Sequence, residues 1–382
     1  MISKAFHASR RKLYQEKMKK HTIECFYSGD EKQQNGDQNY AFVPDADFYY
    51  LTGFDKPGAL LLTIKKKRTV LTELFIERTD ERKARWEGVS YTTESVSELT
   101  GIQHVHYMEE LDAFVKNIKK KYPDMKWKKK PTDISRIRQV KTKEEIALHR
   151  RACQITTEGV DAILKNLKPG LYEYEIEAEF DYVLGKNHAK HAFDTIAASG
   201  PKACVLHYHD NDRKMQPGDM VLFDLGAEWG HYASDVSRTY PVDGVFTKEQ
   251  RELYEVVLSG LEAAEALAKP GQPKAQLQEV SKKIMAEGLI KLGKIKKAKE
   301  IDKYYYHGSG HFIGLFTHDV GDNEAILEPD MMFTLEPGLY FEEEGIGIRI
   351  EDTLLVTKTG CEILSAGIPK TVEDIEAAMK KG

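Results

Sequence analysis

One pattern, stated twice, constrains this 382-residue chain more than any other feature. Lys143 to Asn166 carries Ile146, Ile155, Val160, Ile163 and Leu164 at the spacing of an amphipathic helix, and stops at Lys168-Pro169-Gly170. A second helix follows from about Glu173 to Leu184. Further on, a helix from Lys248 to Ala268 stops at Lys269-Pro270-Gly271, and another runs from about Lys274 to Leu289. Each half then sets an acid seven positions after a proline at the end of an apolar run: Asp224 after Pro217 in PGDMVLFD, and Glu336 after Pro329 in PDMMFTLE. Residues 134–382 therefore read as an α+β unit with a pseudo-two-fold repeat.

The first 133 residues read as a separate, smaller α/β domain. Short apolar or aromatic runs (IECFY, YAFV, FYYLTGF, ALLLTI) between Thr22 and Val70 predict strands. The boundary is placed where charge concentrates, at Lys119–Lys121 and Lys128–Lys130 before Pro131. The basic N-terminal stretch lacks the apolar core and cleavage site of a secretory signal and predicts a surface helix. The longest apolar run, Ala59 to Ile64, is too short to cross a bilayer. With 56 Lys and Arg against 61 Asp and Glu, the net charge of −5 argues against a protein built to neutralise phosphate backbones. The Lys clusters read as solvated faces. Four scattered cysteines without a CxxC pair suggest neither a disulfide framework nor a thiolate zinc site. The expectation is a soluble cytoplasmic protein with no nucleic-acid or membrane partner.

Each half carries a second acid that a hairpin would bring opposite the first. Folding the chain at Trp229-Gly230 places Asp235 opposite Asp224, and folding it within Glu342–Gly345 places Glu351 opposite Glu336. Like charges on adjacent strands repel, and an unpaired charge behind an apolar run costs several kcal/mol, so four such carboxylates call for a cation. Arg349 lies two positions before Glu351, on the same strand face, and one arginine cannot balance four acids. HGSGH, His307 to His311, has the spacing of a helical metal site, but its two glycines argue against a helix. His207 lies ten positions before Pro217 and His318 eleven before Pro329, a recurrence that makes both candidates for the site. His104, His106, His188, His191, His209 and His231 read as surface or structural residues.

Together these motifs resemble the metallopeptidase family that contains methionine aminopeptidase, prolidase and Xaa-Pro aminopeptidase, whose catalytic domain has the pita-bread fold. Carried over by resemblance, the metal ligands are Asp224, Asp235 eleven positions later, His311, Glu336 in TLEPG and Glu351 in RIED. DADFYYLTGF, Asp45 to Phe54, is similar to a segment of the N-terminal domain of Xaa-Pro aminopeptidases, and Asp37 matches an acid that the family places near the substrate amine. The resemblance implies two divalent ions bridged by Asp235 and Glu351, with Asp224 completing one site and His311 and Glu336 the other. It makes Glu336 a proton shuttle, gives His207 and His318 hydrogen bonds to substrate, and has His307 and Arg349 orient the ligands. Four carboxylates and one imidazole suit Mn²⁺, with Zn²⁺, Co²⁺ and Fe²⁺ left open. Two ions roughly 3.5 to 4 Å apart can share a water and lower its pKa. The implied activity is removal of the N-terminal residue from peptides with proline second, by a homodimer or higher homo-oligomer. Prolidase, the same chemistry on dipeptides, is the alternative. A non-catalytic peptide-binding module of this fold is a third reading, against which the complete ligand set argues.

Overall fold

Local chemistry marks both starts of the repeat. Thr142 caps helix Lys143–Asn166 through a reciprocal capping box with Glu145, and Thr247 caps helix Lys248–Leu267 in the same way with Gln250. Both helices end ahead of the Lys-Pro-Gly stops, where Gly170 and Gly271 hold the left-handed backbone (φ 91° and 85°). Each then packs on the next helix of its half, Glu173–Lys186 or Ala275–Lys291, at a glycine. A Cβ on Gly159 would fall 2.2 Å from the Phe180 ring, and one on Gly260 would fall 2.6 Å from Met285.

The computed structural model describes residues 2–88 and 91–380 and divides into two compact units, Met1–Ile137 and Arg138–Gly382. In the first, helix α1 (Lys4–Lys17) is exposed on one side and buries Phe6, His7, Arg11 and Tyr14 on the other. Strands β1 (Thr22–Tyr27), β2 (Leu60–Lys65), β3 (Val70–Ile76), β4 (His104–Tyr107) and β5 (Lys126–Trp127) form one mixed sheet in the order β4-β3-β2-β1-β5. Two expected strands are absent. FYYLTGF belongs to a buried helix, α2 (Ala46–Thr52), because Asp45 caps it by accepting from Phe48 N (2.9 Å) and Gly53 (φ 71°) ends it. YAFV is irregular, with Tyr40 and Val43 exposed. Lys119–Lys121 form the last turn of helix α3 (Leu111–Lys121), where cations suit the helix dipole.

In the second unit the helices already named, α4 (Lys143–Asn166), α5 (Glu173–Lys186), α6 (Lys248–Leu267) and α7 (Ala275–Lys291), pack in pairs. Their buried faces share one apolar core with the strands. Strands β6 (Ile196–Ser199), β7 (Met220–Leu225) and β10 (Val236–Pro241) pair antiparallel, and β8 (Ala227–Trp229) with β9 (Tyr232–Ala233) forms a hairpin above them. The second half repeats the theme with β11 (Met332–Leu335), β12 (Gly338–Phe341), β13 (Ile346–Arg349) and β14 (Asp352–Val356). The halves join where Glu351 N donates to Ser237 O (2.9 Å) and Arg349 N to Thr239 Oγ1 (3.1 Å). A buried charge cluster locks this seam: Asp352, fully buried, accepts from Arg238 Nη2 (2.7 Å) and Lys370 Nζ (2.8 Å). Burial by itself would raise its pKa, but Arg238 and Lys370 outweigh that and hold it well below the usual carboxylate range. Asp352→Asn leaves Arg238 buried beside a neutral partner and should cost about 3–5 kcal/mol in urea unfolding. A loss under about 1 kcal/mol would show that the pair does not hold the seam.

Candidate metal centre

The second half delivers its two acids in the expected register. Leu335 pairs with Asp352 and Gly338 with Arg349, so Glu336 and Glu351 face each other in the gap between these ladders. The first half differs by two residues. Asp224 pairs with Ser237, and the turn lies at Gly230-His231, both left-handed (φ 61° and 68°). The two-residue loop that fits the strand twist is this one, and it leaves Asp235 just outside β10 rather than opposite Asp224. A shift of two preserves the side-chain face, so both carboxylates still reach the same cavity. HGSGH is irregular, as its glycines require. Gly310 has φ 140°, and a Cβ there would lie 1.9 Å from Thr334 O, so only glycine lets this segment run along β11. His311 O accepts from Thr334 N (2.8 Å), which places the ring.

These residues line one cavity of about 420 Å³, and every lining residue belongs to the second unit. Asp224, Asp235, His311, Glu336 and Glu351 all face it. Ligand atoms of Asp235, His311 and Glu351 lie within 4.8 Å of one another. His311 Nε2 is 3.2 Å from Asp235 Oδ2 and 4.0 Å from Glu336 Oε1. His311 Nδ1 donates to Phe312 O (3.2 Å), which leaves the Nε2 lone pair aimed at carboxylate oxygens. Asp224 Oδ1, Asp235 Oδ1 and Glu351 Oε1 are buried without a hydrogen-bond partner. Acceptors facing acceptors in a buried site are complemented by a cation, and this oxygen-rich donor set fits hard or borderline divalent ions.

Arg349 is the organising cation already present. Its Nη2 donates to Asp224 Oδ2 (2.6 Å), Nε to Ser237 Oγ (2.8 Å) and Nη1 to the Tyr340 hydroxyl (3.1 Å). Ser237 Oγ in turn donates to Glu351 Oε2 (2.8 Å). His307 donates from Nδ1 to Gly308 O (2.7 Å), so its Nε2 accepts from Tyr340 (2.8 Å). Burial, reinforced by neighbouring acids, raises the Asp235 and Glu351 carboxyls well above their usual range. Burial also brings Glu336 up to about 7. Burial and the Arg349 charge lower His307 to about 4, so it stays neutral.

His318 and His207 also line the cavity. The His318 ring packs against His311 with centroids 4.1 Å apart, whereas His207 is exposed on the rim. Asp37 sits on the exposed turn between Gln33–Asn35 and Gln38–Asn39 in the first unit and does not line this cavity. His209, read from sequence as surface or structural, is exposed on the rim and lines the cavity, stacked on His207 with ring centroids 6.1 Å apart. The i, i+2 spacing of an extended segment was the available signal. Sequence reasoning also missed Lys274, buried beside the centre with Nζ on Gly310 O (2.5 Å) and Asn323 Oδ1 (3.1 Å).

Residues 147–358 match the model for metallopeptidase family M24, and residues 7–125 that for the aminopeptidase P N-terminal domain. The chain belongs to metallopeptidase family M24. It is 34% identical to the Xaa-Pro aminopeptidase of Haemophilus influenzae, with 92% of each chain covered. Among solved structures, a Bacillus anthracis chain assigned as an aminopeptidase P is 38% identical with TM-score 0.94, covering 100% of this chain and 99% of that one. Aminopeptidase P from Escherichia coli, solved with the inhibitor Pro-Leu and in a zinc-substituted form with product, is 32% identical with TM-score 0.92 and the same coverage. These matches establish the pita-bread catalytic domain behind an aminopeptidase P N-terminal domain, and an M24 metallopeptidase uses divalent metal.

In the metal-free folded M24 chain the raised carboxyls bind protons more tightly than in the unfolded chain, where they titrate near 4. Metal-free stability should therefore fall as pH rises from about 4 through about 7, the value for Glu336. A bound cation favours the ionised acids and should remove that loss. Melting temperatures of chelator-treated protein should drop between pH 5 and pH 8, and saturating Mn²⁺ should restore most at the upper end. A metal-free protein that gains stability over this range would contradict the assignment.

Proposed function

We propose that this chain is a metal-dependent Xaa-Pro aminopeptidase that holds two divalent ions, Mn²⁺ foremost. The observation that carries the reading is the convergence of all five ligand-type side chains, three with unpaired buried oxygens, on one cavity. Asp235 and Glu351, the most buried of the four cavity acids, would be shared between the ions, Asp224 would complete one site, and His311 with Glu336 the other. When bound, the ions supply Lewis-acid polarisation of the scissile carbonyl and acidification of a water.

The chain's own side chains account for the rest. Arg349 neutralises Asp224 and, through Ser237, fixes the Glu351 carboxylate. Glu336, poised near neutrality at about 7, is suited to take a proton from water and return it to the leaving amine. His318 and His207, on the cavity wall and rim, would donate to the substrate carbonyl and the departing peptide. The Tyr340–His307 pair and Arg349 hold this wall in one protonation pattern. An Xaa-Pro bond has no N–H to donate, so recognition through the carbonyl suits it.

The free cysteines accord with a reducing cytoplasm, and among the described residues no helix is long and apolar enough to cross a membrane. We take the enzyme to be cytoplasmic and to assemble as a homodimer or higher homo-oligomer, a state that light scattering reads directly.

Asp235→Ala should remove bound metal and lower kcat/KM by more than about 1,000-fold; full activity with metal retained would refute the proposal. On the wild-type enzyme, Xaa-Pro-Yaa peptides should be cleaved far faster than matched Xaa-Ala-Yaa peptides. Equal rates would indicate a broader aminopeptidase, and cleavage confined to Xaa-Pro dipeptides would indicate a prolidase.

A further inference from the structure

His318 stands on an irregular loop, Gly314 to Gly321, that no helix or strand holds. What fixes the loop lies one residue on. The Asp319 side chain is 2% exposed and turns away from the cavity: its Oδ2 accepts from Leu315 N (3.3 Å), while Oδ1 is ion-paired with Arg138 Nη2. Arg138 is itself 5% exposed. Asp319 N donates to Phe312 O (2.9 Å), closing the loop onto the segment that follows His311. The fit is tight, since a Cβ on Gly314 would lie 1.8 Å from Asp319 Oδ2. Lys141, also buried, faces Asp319 and Glu145, and burial lowers the pKa of its amine. The same layer reaches the metal centre from the other side. Gly314 O accepts from Ala233 N (3.1 Å), two residues before Asp235, and Ala233 O is bonded by His149 Nδ1 (2.7 Å).

Resting on the aminopeptidase reading above, we propose that the buried Arg138–Asp319 pair is a positioning device that holds the His318 ring against the metal centre, so that Asp319 and Arg138 act on catalysis only through His318. A buried ion pair joined to a backbone amide fixes the Asp319 Cα and peptide plane far better than solvent-exposed contacts would. His318 is then left only its two side-chain torsions, which its packing on His311 restricts further. Neither Arg138 nor Asp319 lines the cavity.

The test is a double-mutant cycle in the full-length metal-loaded enzyme, with Asp319→Asn, His318→Ala and the combination, and Arg138→Lys as a second route. Asp319→Asn should lower kcat on an Xaa-Pro-Yaa peptide by about 10–100-fold, the range for groups that orient active-site side chains. KM should stay within about threefold and metal content near wild type; the melting temperature should fall, because Arg138 is left buried beside a neutral partner, with the variant still folded at the assay temperature. His318→Ala combined with Asp319→Asn should be no slower than His318→Ala alone, because the two losses share one cause. Amide hydrogen exchange across 312–319 should quicken in Asp319→Asn while the helices stay protected. Arg138→Lys, which keeps the charge but not the reach, should show the same pattern with a smaller loss. Multiplicative losses, or variants that unfold or shed metal, would overturn the proposal and make the pair a folding element. Wild-type protein that fails to cleave Xaa-Pro peptides would instead sink the aminopeptidase reading, leaving the exchange result to judge the loop.

Discussion

Four carboxylates share one buried cavity, and the rest of the catalytic unit is arranged around the cost of that. Desolvated acids repel one another and lose their water together, so a chain without compensation would protonate them or unfold. Arg349 neutralises one acid and, through Ser237, orients another. It cannot neutralise all four, and the three buried oxygens left without a partner mark where further positive charge belongs. The electrostatic demand and the catalytic use are the same fact: what stabilises the site is what activates water and carbonyl in it.

The pseudo-two-fold repeat is how the chain meets this demand. Each half supplies a capped helix, a glycine that lets a second helix close on it, and a strand ending in an acid. The halves meet through backbone bonds at Ser237–Glu351 and Thr239–Arg349. Acids contributed by both halves thus converge at the seam, where backbone bonds tie the strands of the two halves together. The same fastening explains the charged residues behind the site. Arg238 with Asp352, and Arg138 with Asp319, are ion pairs too buried to serve solubility, and each clamps backbone beside a ligand or a cavity-lining histidine.

Much of this was legible in sequence because the catalytic unit states its pattern twice and its ligands fall at fixed spacings. The Glu336–Glu351 register followed from one turn midpoint, since the pairing keeps one register on both sides of the gap that holds the two acids. Asp224 and Asp235 came out two residues off because the Gly230-His231 turn, not the midpoint of the acids, sets the register. FYYLTGF misled through its β-prone aromatics, although Asp45 and Gly53, the signals of a helix start and stop, were there to be read. His209 was passed over because an exposed histidine beside a candidate looks like surface. Arg138, Lys141, Glu145 and Asp319 were invisible for a different reason. Charged residues in a charge-rich stretch read as solvated, and only tertiary packing shows that these are buried.

The central claim, that the clustered acids exist to hold metal, is tested most directly by growing crystals with Mn²⁺ and collecting diffraction data at its absorption edge. The account predicts two anomalous peaks per chain, both within coordination distance of the set Asp224, Asp235, His311, Glu336 and Glu351. A cavity with no anomalous density at saturating Mn²⁺, its carboxylates protonated and bonded to one another, would contradict it.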